Sequence, residues 1–178
     1  MKNTKVMLVP LTEDDRERFI LDNQWAFKYG ALQEFGERDN HIDDDGEIIS
    51  RKTIERCIDN PQNETYRIVL DGRKVGGVIL KINKETNVNE LEILFTSPDE
   101  HSKGIGYGAW QAVEELHPET KVWETCTPYF EKRNIHFYVN VCGFHITEFF
   151  NEKHPMPDTP DDFIGDGNEG MVAFQKVM

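Results

Sequence analysis

The sequence predicts a mixed α/β fold: a mostly antiparallel central sheet of about seven strands with flanking helices. Three observations carry this expectation. Short β-branched and aromatic segments are interspersed with longer ones whose apolar residues recur at helical spacing. Asp71-Gly72 joins two of the short segments with a tight-turn signal and a third follows directly, which makes an antiparallel meander. A strand then runs into Gly104, Gly106 and Gly108 and on into a helical repeat.

Val6 to Leu11 is apolar and contains Pro10, after which Thr12-Glu-Asp-Asp15 starts a helix with acids in its first turn. Phe19, Ile20, Asn23, Phe27 and Leu32 keep helical spacing, and Gly30 and Gly36 punctuate the end of that run. A second helix spans Ser50 to Ile58, with Ser50 as its cap and Asn60-Pro61 beyond its end. Thr65 to Leu70, Val75 to Ile82 and Asn87 to Ser97 form the meander. Gly104 to Leu116 is helical, with Ile105, Ala109, Ala112, Val113 and Leu116 on its apolar face. Val122 to Thr127 reads as a strand, Glu131 to Val141 as a helix, and Phe144 to Phe150 and Met171 to Val177 as the last strands. Between those two, residues 151–170 are rich in Pro, Asp and Gly and read as a long polar loop, the kind that is functional or mobile.

A length of 178 residues suits a single domain over 1–178, and 38% hydrophobic with 30% charged residues is a globular composition. The chain lacks an apolar run of the roughly 20 residues that cross a bilayer. Its start leads into a strand instead of a signal-peptide core, so a cytoplasmic protein is expected. Cys57, Cys126 and Cys142 are odd in number and lack metal-ligand spacing, which predicts reduced thiols and no metal. The 33 acidic residues against 20 basic ones, a formal charge of −13, argue against nucleic acid or an anionic membrane as partners.

The segment from Glu90 to Trp110 carries the chemistry. A strand entering a glycine-rich turn and then a helix aims several backbone N–H groups and the positive end of the helix dipole at one spot, which suits a phosphate. Gly104, Gly106 and Gly108 leave those amides uncovered, while His101 and Lys103 add positive character in an acidic chain. Spacing alone also fits a plain strand-to-helix turn. A dinucleotide fingerprint is disfavoured because a meander precedes the turn, and a Walker lysine is missing.

Pro98 with His101-Ser-Lys-Gly-Ile-Gly106 resembles motif A of the GNAT acetyltransferases, Arg/Gln-x-x-Gly-x-Gly/Ala. About 40 residues on, Phe137-Tyr-Val-Asn-Val-Cys-Gly-Phe144 is similar to the family's Tyr-x-x-x-Gly-Phe segment. The resemblance implies the GNAT acyl-CoA N-acyltransferase fold, acetyl-CoA as co-substrate, a small-molecule or peptide amine as acceptor, and leaves a homodimer open. It implies that Phe95 and Thr96 hold the pantetheine arm where two strands splay, and that His101, Ser102, Lys103, Gly104, Ile105 and Gly106 cradle the pyrophosphate. Asn134 and Arg133 would touch the nucleotide end of the cofactor. Trp25, Phe27, Tyr29 and Phe35 would come from the region that lines the acceptor pocket.

Acetyl transfer from a thioester to an amine needs a base for the ammonium and an acid for the leaving thiolate. Glu90 and Glu92, two apart on one strand, share a face and are both candidates for the base; two solvated strand glutamates are the alternative. Tyr138 is the candidate acid by the resemblance. It lies five residues before Gly143, one more than the family spacing, and one residue turns an α-helix by about 100°. Only a helix end with an extra residue would aim it into the groove. His101 stands where the family has Arg or Gln. A non-catalytic acyl-CoA binding module on the same fold, or an interaction domain with an incidental glycine turn, are the competing functions.

Overall fold

The computed structural model describes residues 5–35, 46–100, 104–157 and 170–178. Seven strands form one sheet: β1 Met7–Pro10, β2 Asn63–Leu70, β3 Arg73–Lys81, β4 Val88–Thr96, β5 Val122–Pro128, β6 His145–Phe150 and β7 Met171–Val177. Their order is β1-β2-β3-β4-β5-β7-β6, and every neighbouring pair is antiparallel except β4 with β5. The predicted fold class is the observed one, and the meander around Asp71-Gly72 is β2–β3–β4.

Helices α1 Arg16–Phe35 and α2 Arg51–Asp59 cover one face of the sheet, where Phe19, Ile20 and Ile54 pack against Ile79, Ile93 and Phe95. Helix α3 Ile105–Leu116 and the helical segment after β5 cover the other. There Trp110 meets Trp123 edge-on with ring centroids 5.3 Å apart, beside Tyr138, Phe144 and Phe174. No helix among the described residues is long and apolar enough to cross a membrane.

Two differences from the sequence reading matter for the site. Gly30 lies inside α1 instead of ending it, and a Cβ there would meet nothing within 4 Å. The expected single helix before β6 is a short α-helix, α4 Lys132–His136, followed by a π-turn over Phe137–Val141. Most of the long loop at 158–169, like Gly36, lies outside the described residues.

The start of α1 is fixed to the sheet by a buried charge cluster. Arg67 on β2 donates to Asp15 Oδ2 at 2.6 Å and to Asp22 Oδ2 at 3.1 Å, and Lys74 reaches Asp15 Oδ1 at 3.0 Å. Burial alone would raise the Asp15 carboxyl, but the bonds from Arg67 and Lys74 outweigh it and hold the group below its ordinary value. At the other end of this layer, Ser50 caps α2 by accepting from the Thr53 amide at 3.1 Å. Ser50→Ala is expected to lower stability by about 1 kcal/mol, read as an earlier urea midpoint with an unchanged slope.

Candidate active site

Strands β4 and β5 pair over only three positions, Val88 with Val122, Asn89 with Trp123 and Glu90 with Glu124. Past Glu90 they separate. Thr125 marks the fork, its hydroxyl donating to the Leu91 carbonyl at 2.9 Å. A groove of about 890 Å³ opens there, with Phe95, Thr96 and Gly106 on one side, α4 on another, and Phe27, Gly30 and Thr53 of α1 and α2 closing the far end.

The glycines of the turn do different work. Gly104 caps α3 in a left-handed conformation, φ 68°, that favours glycine. Gly106 lines the groove, and a Cβ on it would come within 3.3 Å of the Phe137 ring. Gly108 differs from the other two: its amide donates to the Gly104 carbonyl at 3.0 Å inside the helix, and its missing side chain admits Val6 of the segment before β1, at 3.0 Å from a Cβ. Ile105 is buried with Val6, Ile68 and Val75, leaving its backbone alone for any ligand. His101, Ser102 and Lys103 lie outside the described residues. Helix α4 sets Lys132, Arg133, Asn134 and His136 along the groove, and Asn134 Nδ2 donates to Thr127 Oγ1 at 3.3 Å. Lys132 was missed from the sequence, where it looks like one more surface charge.

Glu90 and Glu92 sit at the fork on the α1–α2 side. The register of β3 and β4 passes from Ile79–Ile93 to Leu80–Leu91, so Glu92 is the extra residue of a bulge. Burial, then the charge of Glu92, lift the Glu90 carboxyl above the usual glutamate range; Lys81 opposes this and Glu124 adds to it. Cys126 on β5 is exposed within the same groove, and enclosure by the groove walls, then the charges of Glu90 and Glu92, raise its thiol above the ordinary value.

Tyr138 is 8% exposed and also lines the groove, resting on Phe137, Phe144 and Phe174. The π-turn supplies the residue that the spacing to Gly143 demanded: the Cys142 amide donates to the Phe137 carbonyl at 2.9 Å, five positions back. Burial drives the phenol well above its ordinary value, and its hydrogen bond with Thr125 offsets part of that. Of the aromatic residues expected at the acceptor pocket, Phe27 lines the groove, Trp25 is exposed on α1 and Tyr29 is not among the lining residues. The Phe35 side chain is outside the described set.

A family model described as the acetyltransferase (GNAT) family matches residues 19–144, the stretch that holds the fork, the turn and the π-segment. The chain belongs to that family. It is 45% identical over 153 residues, 86% of this chain and 80% of the relative, to the uncharacterized protein YrkN of Bacillus subtilis. Among solved structures, an acetyltransferase from Thermus thermophilus aligns at a TM-score of 0.68, with 14% identity and all of both chains covered. Spermidine N-acetyltransferase from Vibrio cholerae, in complex with CoA and spermine, aligns at 0.67 with 14% identity over 97% of this chain and 95% of that one. These two likenesses carry the GNAT fold: a seven-stranded mixed sheet forked between β4 and β5.

Proposed function

We propose that the protein transfers the acetyl group of acetyl-CoA to a primary amine on a small molecule or peptide, with Glu90 as base and Tyr138 as acid. The observation that carries this reading is the convergence of a raised carboxyl, a buried phenol and a glycine-lined helix start on one groove at the β4–β5 fork. The edge of β4 that β5 leaves around Phe95 and Thr96, whose other edge pairs with β3, would take the pantetheine amides, and the first turn of α3 at Gly104 to Gly106 would take the pyrophosphate, with Asn134 near it. The family membership and the CoA bound to the Vibrio cholerae structure support that cofactor.

In the reaction Glu90 takes a proton from the acceptor ammonium, directly or through water, and the freed amine attacks the thioester carbonyl carbon. The C–N bond forms as the C–S bond breaks, Tyr138 gives its proton to the departing sulfur, and the second proton on the new amide nitrogen leaves through water, which restores the phenol. A carboxyl lifted by burial is better matched to an amine's proton than an ordinary glutamate is.

The test is release of free thiol from acetyl-CoA across a panel of primary amines. Tight CoA binding with no thiol release across the panel would replace this reading with a non-catalytic CoA-binding module. Gly106→Glu separates cofactor binding from chemistry. Its side chain meets the Phe137 ring and brings a negative charge into the proposed phosphate site, so the thermal shift given by CoA is expected to vanish.

A further inference from the structure

Glu90 and Glu92 line the same groove, yet their surroundings differ. Glu92 is gripped from behind. Asn63, the first residue of β2, donates through Nδ2 to Glu92 Oε2 at 2.5 Å and, with the same nitrogen, to the Cys57 carbonyl near the end of α2 at 2.8 Å. The Cys57 thiol also hydrogen-bonds Glu92, and burial together with that carboxylate pushes the thiol up to about 12. The amide can face only one way, because a flip would set its oxygen against a carboxylate and a carbonyl at once. Its Oδ1 is buried without a partner among the described residues, a cost that calls for a compensating role.

Resting on the assignment of Glu90 as the base, we propose that Asn63 and Cys57 are positioning residues that lock the bulged Glu92 behind Glu90 as a fixed charge, so that Glu92 tunes the base and does not itself accept the proton. The bulge makes this possible. An extra residue in β4 lets Glu92 turn toward α2 while Glu90, before it, stays at the fork. The other charged or titratable groups that face Glu90 are Lys81 opposite it on β3, Glu124 opposite it on β5, Cys126 on β5 and Cys57 on α2. Glu124 is held by Gln175 at 2.9 Å, which leaves Glu92 as the glutamate whose placement depends on Asn63.

The experiment is an NMR titration of the Glu90 carboxyl in the full chain, without acetyl-CoA or acceptor, for the native protein and the variants Glu92→Gln, Asn63→Ala and Cys57→Ser. The Glu90 midpoint is expected to fall in Glu92→Gln, to fall by less in Asn63→Ala, where Glu92 is freed to swing away, and to hold in Cys57→Ser, which keeps a donor. In kinetics the acid limb of kcat/KM moves to lower pH in Glu92→Gln, in step with the Glu90 midpoint. A midpoint unmoved in Glu92→Gln overturns the proposal, and so does a Glu92→Gln enzyme with lowered kcat and an unshifted limb. An Asn63→Ala midpoint equal to the native one overturns the positioning role, and if Asn63→Ala fails to fold, Cys57→Ala, which removes the thiol donor to Glu92, takes its place with the same expected fall. Because the titration needs no acetyl transfer, it can succeed or fail independently of the transferase reading.

Discussion

Glu90→Gln is expected to lower kcat by about 10²- to 10⁴-fold, the range seen when a positioned general base is removed, with CoA affinity unchanged. Glutamine keeps the shape and loses the basic oxygen. The remaining rate at high pH, where free amine is abundant, should approach that of the native enzyme more closely than at neutral pH, since the solution then does the base's work. The native pH dependence follows from the same environment. Burial and the charge of Glu92 raise the Glu90 pKa, and a general base must be deprotonated to act, so kcat/KM is expected to fall as pH drops through a value above the ordinary glutamate range. The sign for stability is opposite. A carboxyl whose folded pKa is raised supports the fold below its unfolded pKa, and that support is lost as pH rises through the folded value. At neutral pH Glu90→Gln is therefore expected to melt no earlier than the native protein, and somewhat later. Loss of activity with a gain in Tm, read by calorimetry beside the thiol assay, sets this residue apart from a structural one.

The frame of the fold was legible because its signals are local. Asp71-Gly72 between β-branched runs specifies a hairpin on its own, and both residues take positive φ in the turn, 52° and 75°. The Ser50 cap and the apolar repeat of α3 are equally short-range. The fork was legible only through resemblance, because a parallel pair that stops after three positions leaves no mark on either strand. What stayed hidden depends on partners distant in sequence. The Glu92 bulge is a mismatch between β3 and β4, invisible in β4 itself. Asn63 looks like the start of a strand until Glu92, 29 residues later, arrives beside it. Gly108 shares a spacing with Gly104 and Gly106 but answers to Val6, roughly a hundred residues upstream. The π-turn is an intermediate case, since the five-residue step from Tyr138 to Gly143 showed that one residue was surplus without showing where the helix would absorb it.

That surplus residue leads to the second large effect. Tyr138→Phe is expected to lower kcat by about 10²-fold, at the lower end for a lost general acid, because a thiolate leaves more readily than an alkoxide or amide would. The phenol's pKa is raised by burial, so it stays protonated well past the ordinary tyrosine value. The alkaline side of the profile should therefore keep its shape in Tyr138→Phe while the whole curve drops. Packing against Phe144 and Phe174 survives the substitution, and the loss is expected in kcat with little change in CoA binding or Tm. The register can be tested separately. Val139 stands four residues before Gly143, at the family's usual spacing, but it packs beside the core cluster and does not line the groove. Adding Val139→Tyr to Tyr138→Phe returns a phenol to the chain at that spacing, and no recovery of kcat is expected, because the π-turn aims position 138 and not 139 at the fork. Recovery in the double variant would mean that the segment rewinds as an α-helix when the enzyme works.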